Sequence, residues 1–244
     1  MPVLWIRSFL FMFVMITSTI IYAPLAVMAF PFPFRLRYGF ITQWATFNLW
    51  VLKKLCRLRY EVEGRDNIPA TNAIIYCKHQ STWETFALQR IFPPQVWILK
   101  RELLWVPFFG WGLAMLEPIA IDRKAGRKAV MQLLDQGAQR LANGRWVVVF
   151  PEGTRVAPGK RRRYGIGGAL LAEKTGRLIV PVAHNAGEYW PRRGFLKRPG
   201  IIRVVIGLPI DPNGLSAEQI NQRAEEWIEG KMREISSLSY SVEQ

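Results

Sequence analysis

The chain has 244 residues, half of them hydrophobic, 13% aromatic and 21% charged, which excludes a disordered or fibrous protein. That length suits one catalytic domain with an accessory segment better than two full domains. The net charge of +15 calls for anionic partners, and charge alone leaves nucleic acid, an anionic lipid surface and a phosphate-bearing substrate open.

The N-terminus separates these possibilities. No charged side chain lies between Ser8 and Phe34. Built as a helix, residues 9–30 would be roughly 33 Å long, against a hydrocarbon core of about 30 Å, so a membrane segment is expected. Pro24 could end or kink that helix, leaving residues 9–23 at about 22 Å, enough to dip into one leaflet. The alternative is a cleaved signal peptide, since Val27-Met28-Ala29 loosely resembles a small-residue cleavage site, but the apolar stretch exceeds the roughly 7 to 15 residues of a signal core. Arg7 alone precedes the segment, whereas Arg35, Arg37, Lys53, Lys54, Arg57 and Arg59 follow it. That asymmetry expects the rest of the chain on the cytoplasmic side of the inner membrane. Cys56 and Cys77 make no staple pattern, in keeping with that compartment. A membrane segment without a recognition motif also argues against a nucleic-acid partner.

Over residues 36–58 the apolar residues Leu36, Phe40, Trp44, Phe47, Val51, Leu55 and Leu58 recur at helical steps, with Thr42, Gln43, Thr46 and Asn48 opposite. The pattern predicts an amphipathic helix, lying in the membrane interface or packed on a core. Residues 1–58 are therefore expected to form a two-helix membrane anchor, and residues 59–244 a catalytic domain. In the latter, short β-branched runs at 59–62, 73–77, 96–99, 119–121, 146–150, 178–182 and 202–206 alternate with helical stretches. This predicts an α/β fold, a mostly parallel sheet of about seven strands flanked by helices. One helix should occupy 125–142, stopped by Asn143-Gly144, and the last should run from Ser216 to about Ile235 behind a capping box completed by Gln219. Residues 157–168 and 191–200 read as loops.

His79 and His184 are the only histidines. His79 follows the apolar run 73–77, where a parallel sheet presents ligands at its strand ends. Ser81-Thr82-Trp83-Glu84 has the form of a capping box, whose glutamate folds back toward the helix start and so toward His79. A carboxylate on one ring nitrogen would fix the tautomer and leave the other nitrogen to take a proton from a hydroxyl, although the same residues also make an ordinary helix cap. The run Phe150-Pro151-Glu152-Gly153-Thr154-Arg155 follows another strand. Its Gly153 admits close backbone approach, and its Arg155 offers a forked donor for phosphate. The segment from Lys100, Arg101 and Glu102 to Gly110 follows a third strand. Cys77 reads as a buried structural thiol, and His184 as a structural or rim residue. Lys160, Arg161, Arg162 and Arg163 make a basic loop that could hold lipid phosphates or an acidic donor. No metal site is spaced in the sequence.

Taken in order, His79-x4-Glu84, the Lys100–Gly110 stretch, Phe150 to Arg155 and Val180-Pro181-Val182 resemble the four motifs of the 1-acyl-glycerol-3-phosphate acyltransferases, within the glycerolipid acyltransferase family. The resemblance implies that His79 is the general base on an acceptor hydroxyl and that Glu84 orients it. It also implies that Lys100, Glu102, Glu152, Gly153, Thr154 and Arg155 hold the phosphate and glycerol of the acceptor. The implied substrates are a lysophospholipid, most simply lysophosphatidic acid or else another lysolipid such as a lyso-aminolipid, and acyl-CoA or acyl carrier protein as donor, with no cofactor. Two positions depart from the family pattern. Glu84 stands where many members have aspartate, and Val156 follows Arg155 where a small polar residue is frequent.

Overall fold

The computed structural model describes residues 1–122, 125–238 and 241–242. Helix α1 (Pro2–Met28) starts earlier than the uncharged run suggests, because Pro2 is preset for a first helical turn, and it passes through Pro24 unbroken. That proline removes one backbone donor close to the helix end, where little remains to be disrupted. With an 18-residue stretch of mean hydropathy 2.1, α1 is long and apolar enough to cross a membrane. It packs against α2 (Phe34–Leu55), whose inward face carries Tyr38, Ile41, Ala45, Asn48 and Leu52 at three- and four-residue spacing. Leu36, Phe40, Phe47 and Trp50 point outward. The bulky stripe is thus divided, with Leu36, Phe40 and Phe47 on the outer face and Val51 and Leu58 buried. The smaller residues face inward, where two helices approach closely.

The strands are β1 (Leu58–Glu63), β2 (Ile74–Cys77), β3 (Gln95–Lys100), β4 (Ile119–Ile121), β5 (Trp146–Val149), β6 (Lys160–Arg161), β7 (Ile179–His184), β8 (Gly200–Ile206) and β9 (Ser241–Val242). Seven of them form one sheet in the order β1-β8-β7-β2-β5-β3-β4. The five from β7 to β4 run parallel, whereas β8 pairs antiparallel with β7 and parallel with β1. The helices α3 (Trp83–Ile91), α4 (Phe109–Ala114), α5 (Arg127–Ala142), α6 (Gly167–Thr175), α7 (Ala186–Tyr189) and α8 (Ala217–Ile235) complete the fold. The box at the start of α8 is formed, with Ser216 Oγ accepting from the Gln219 N–H and Gln219 Oε1 from the Ser216 N–H.

Every residue of β2, β5 and β7 is buried, as in a sheet covered on both faces. Side chains alternate across the sheet. Ile74, Tyr76, Val147 and Val149 therefore join Leu133, Leu171, Ile220 and Ile228 in one core layer beneath α5, α6 and α8. Ile75, Cys77, Val148 and Val182 join Leu52, Phe86 and Leu88 in the other, beneath α2 and α3. Phe11 of α1 is fully buried in this second layer, edge-on to Trp190 at 5.4 Å, and Trp44 of α2 meets Phe86 edge-on at 5.0 Å. The N-terminal helices and the α/β unit thus share a core.

Candidate active site

Four strands of the parallel set end on one edge of the sheet, which brings the segments after β2, β3, β5 and β7 together. His79 stands just past β2. Its Nδ1 lies 2.8 Å from Oε1 of Glu84, five residues on, in the first turn of α3. The same carboxylate oxygen accepts the N–H groups of Gln80 at 2.9 Å and Ser81 at 2.8 Å, the fold-back expected of a cap glutamate. The other half of the box differs, because Ser81 Oγ accepts from Trp83 and the helix cap falls on Thr82. Burial alone would raise the Glu84 pKa. The imidazoles of His184 and His79 and the Ser81 N–H outweigh it and hold the carboxyl below its ordinary value. An ionised carboxylate only accepts, so His79 Nδ1 donates and Nε2 keeps its lone pair. The ring stacks on Phe150 at 3.8 Å between centroids and remains 15% accessible.

His184 ends β7 directly behind this pair, with Nε2 4.0 Å from Glu84 Oε2. Its Nε2 lies 2.8 Å from the Lys78 carbonyl oxygen, which can only accept, and its Nδ1 accepts the Ala186 N–H at 3.2 Å. Both contacts fit a neutral ring, and burial lowers its pKa. The expectation of a structural histidine therefore agrees with its surroundings. Cys77 is buried too, with burial and the charges of Glu84 and Glu152 holding its thiol well above the ordinary value, so it stays protonated.

The segment after β5 is clipped onto the histidine segment. The His79 N–H donates to Glu152 Oε2 at 2.8 Å, and the Val156 N–H donates to the His79 carbonyl at 2.8 Å. Glu152 is 3% exposed and turned into the protein, where its other oxygen pairs with Lys78 Nζ at 2.8 Å. Arg155 and Thr154 are half-buried beside the dyad. Partial burial lowers the Arg155 pKa, and the nearby Glu84 opposes that shift. Gly153 has φ +67°, and an added Cβ would meet nothing within 4 Å, so the chain turns there beside open space. Lys100 and Glu102 sit exposed at the end of β3, on the same edge but outside the hydrogen-bonded cluster. Arg161, from the basic loop, is engaged by Glu225 of α8 at 2.8 Å.

Residues 59–185, about half of the chain, match the family model described as Acyltransferase. The chain belongs to the acyltransferase family. A 1-acyl-sn-glycerol-3-phosphate acyltransferase of Pseudomonas aeruginosa is 46% identical over 242 residues, covering 97% of this chain and 94% of that protein. One from Saccharomyces cerevisiae is 31% identical, covering 82% and 68% respectively. The crystal structure of the 1-acyl-sn-glycerophosphate acyltransferase of Thermotoga maritima superimposes with a TM-score of 0.80 over 98% of both chains at 22% identity, which supports the fold.

Sequence reasoning passed over Lys78, Tyr164 and Glu229 of this acyltransferase. Glu229 sits among Ala224, Ile228 and Met232 on the inward face of α8. A charge on an otherwise apolar stripe, and a lysine directly after an apolar strand, were the signals that could have found the pair.

Proposed function

We propose that this acyltransferase moves a fatty acyl group from acyl-CoA or acyl carrier protein onto the sn-2 hydroxyl of lysophosphatidic acid, giving phosphatidic acid. The observation that carries the reading is the 2.8 Å bond between His79 Nδ1 and Glu84 Oε1, in a chain whose 46% identical relative bears that activity in its name. His79 Nε2 takes the hydroxyl proton as the acceptor oxygen attacks the thioester carbonyl. The C–O bond forms, the C–S bond breaks, and the departing thiolate recovers the proton from the imidazolium. Glu84 stabilises that imidazolium while it lasts. Arg155, with its forked donors, and the Thr154 hydroxyl receive the acceptor phosphate over the open turn at Gly153, and Lys100 and Glu102 flank the acceptor from the end of β3.

We assign the enzyme to the inner membrane, with its catalytic unit on the cytoplasmic side and α1 and α2 as the anchor. Support comes from large apolar side chains left exposed on several elements. Phe9, Phe13, Ile16 and Ile20 are exposed on α1, Phe40, Phe47 and Trp50 on α2, and Trp105, 78% exposed, just ahead of α4. Monomeric soluble proteins rarely leave so much apolar surface in water. The α4 patch follows β3, so lipid contact there would bring the leaflet to the same sheet edge as His79.

The test is to incubate purified protein with radiolabelled acyl-CoA or acyl carrier protein and a panel of lysolipids. Lysophosphatidic acid should be the preferred acceptor. Arg155→Ala should raise its KM about tenfold or more, the effect of losing a charge-assisted contact. Equal use of lysolipids without a terminal phosphate would reject the acceptor assignment.

A further inference from the structure

Behind the dyad lies a buried ionic cluster that takes no part in the chemistry just described. Lys78 Nζ lies 2.8 Å from Glu152 Oε1 and 2.7 Å from Glu229 Oε1, with all three side chains at most 2% exposed. The Tyr164 hydroxyl donates to the same Glu229 oxygen at 2.9 Å. Glu229 belongs to α8 and lies beyond the matched stretch 59–185. One ammonium held between two carboxyl groups away from water is an arrangement that folding alone gives little reason to keep, since apolar residues fill such space at least as well. What distinguishes the cluster is where it leads. Lys78 immediately precedes His79, and Glu152, gripped by the lysine on one oxygen, accepts the His79 backbone N–H on the other. The Lys78 carbonyl is taken by His184 and its N–H by the Val182 carbonyl. The backbone on both sides of the imidazole is thereby fixed, and α8 supplies the outermost anchor.

We infer that Lys78 and Glu229 are positioning residues for His79, acting through Glu152 to fix the backbone from which the imidazole reaches its substrate. The inference rests on the acyl-transfer reading above. A misplaced base loses rate without losing acceptor affinity, because the groups assigned to the phosphate lie on the other side of the turn.

Glu229→Gln keeps the volume and removes the charge. It should lower kcat about tenfold or more and change KM for lysophosphatidic acid less than twofold. Hydrogen exchange in a peptide covering residues 78–81 should quicken in the same variant. The double substitution Lys78→Met with Glu229→Leu separates positioning from stability: the melting temperature should recover toward wild type while kcat stays low. Tyr164→Phe, a milder change suited to the case in which Glu229→Gln does not fold, should lower kcat severalfold. An unchanged kcat in the folded variants, or a double variant that regains kcat along with its melting temperature, would overturn the inference. His79→Ala measured alongside separates the two readings. If it is inactive while Glu229→Gln is fully active, only the positioning role fails. If it retains turnover, the mechanism itself fails.

Discussion

At the residue scale, the proposed chemistry turns on which nitrogen of His79 carries the proton, and Glu84 decides it from 2.8 Å away. His79→Ala should forfeit at least a hundredfold in turnover while the protein stays folded, as judged by its melting curve. Glu84→Gln should lower kcat strongly with little change in KM, and Glu84→Asp should keep partial activity. Equal rates in the Gln, Asp and wild-type proteins would return Glu84 to a helix cap. A second residue-scale prediction concerns Glu152, whose pKa burial raises from 4.5 to about 7 despite Lys78. Between those two values the unfolded chain has lost this proton while the native state retains it. The group therefore makes the native state progressively less favourable as pH rises from 4.5 to about 7, with no further change above. Glu152→Gln lacks that penalty. Its melting temperature relative to wild type should climb across the same window and then level off, and a constant difference from pH 5 to pH 8 would contradict the assignment.

At the element scale, two glycines bring α5 and α6 onto their neighbours. A Cβ on Gly168 would fall 2.4 Å from Tyr76 Cε2 and 2.9 Å from Val149 Cγ1, and one on Gly137 would fall 2.7 Å from Leu171 Cδ2. Gly168→Ala should destabilise the protein by about 1–3 kcal/mol through overpacking, read as a lower midpoint in denaturant. Here the sequence was informative about type and less so about direction. The β-branched runs announced all seven strands of the main sheet, and Ser216 with Gln219 marked the start of α8, because alternation and caps are local properties. The reversal of β8 against β7 is set by a connection of the short α7 and irregular chain and has no local signature. The facing of α2 was illegible for another reason: the helix is apolar on two sides, and periodicity cannot say which meets protein and which meets lipid. The dyad was readable because a five-residue spacing and a cap motif coincide. The Lys78 cluster was not, because its members lie 151 residues apart and only the fold brings them together.

For the whole molecule, the proposed attachment and catalysis share a framework, since Phe11 of α1 is also part of the second core layer. A high-salt wash is expected to leave the protein with the membrane fraction, because the exposed α1 surface is held by apolar burial and is indifferent to screening. Release by salt would assign attachment to the basic surface. Deleting residues 1–34 should lower the melting temperature as well as solubilise the chain, as it empties the site of Phe11. Charged substitutions at Ile16 and Ile20, on the outer face, should weaken membrane retention with little thermal cost. The register of β1 carries one more consequence. Leu58 pairs with Gly200, so the strand adjoining α2 waits for the last strand of its sheet in chain order. At roughly 5–20 residues per second of synthesis, that strand emerges from the ribosome on the order of ten seconds before its partner. On the proposed anchoring, the nascent chain is by then already tethered to lipid, and α8, with Glu229, comes later still. A product released early would reach the membrane with its base unbraced, so a prematurely terminated copy should occupy the bilayer without acylating anything in it.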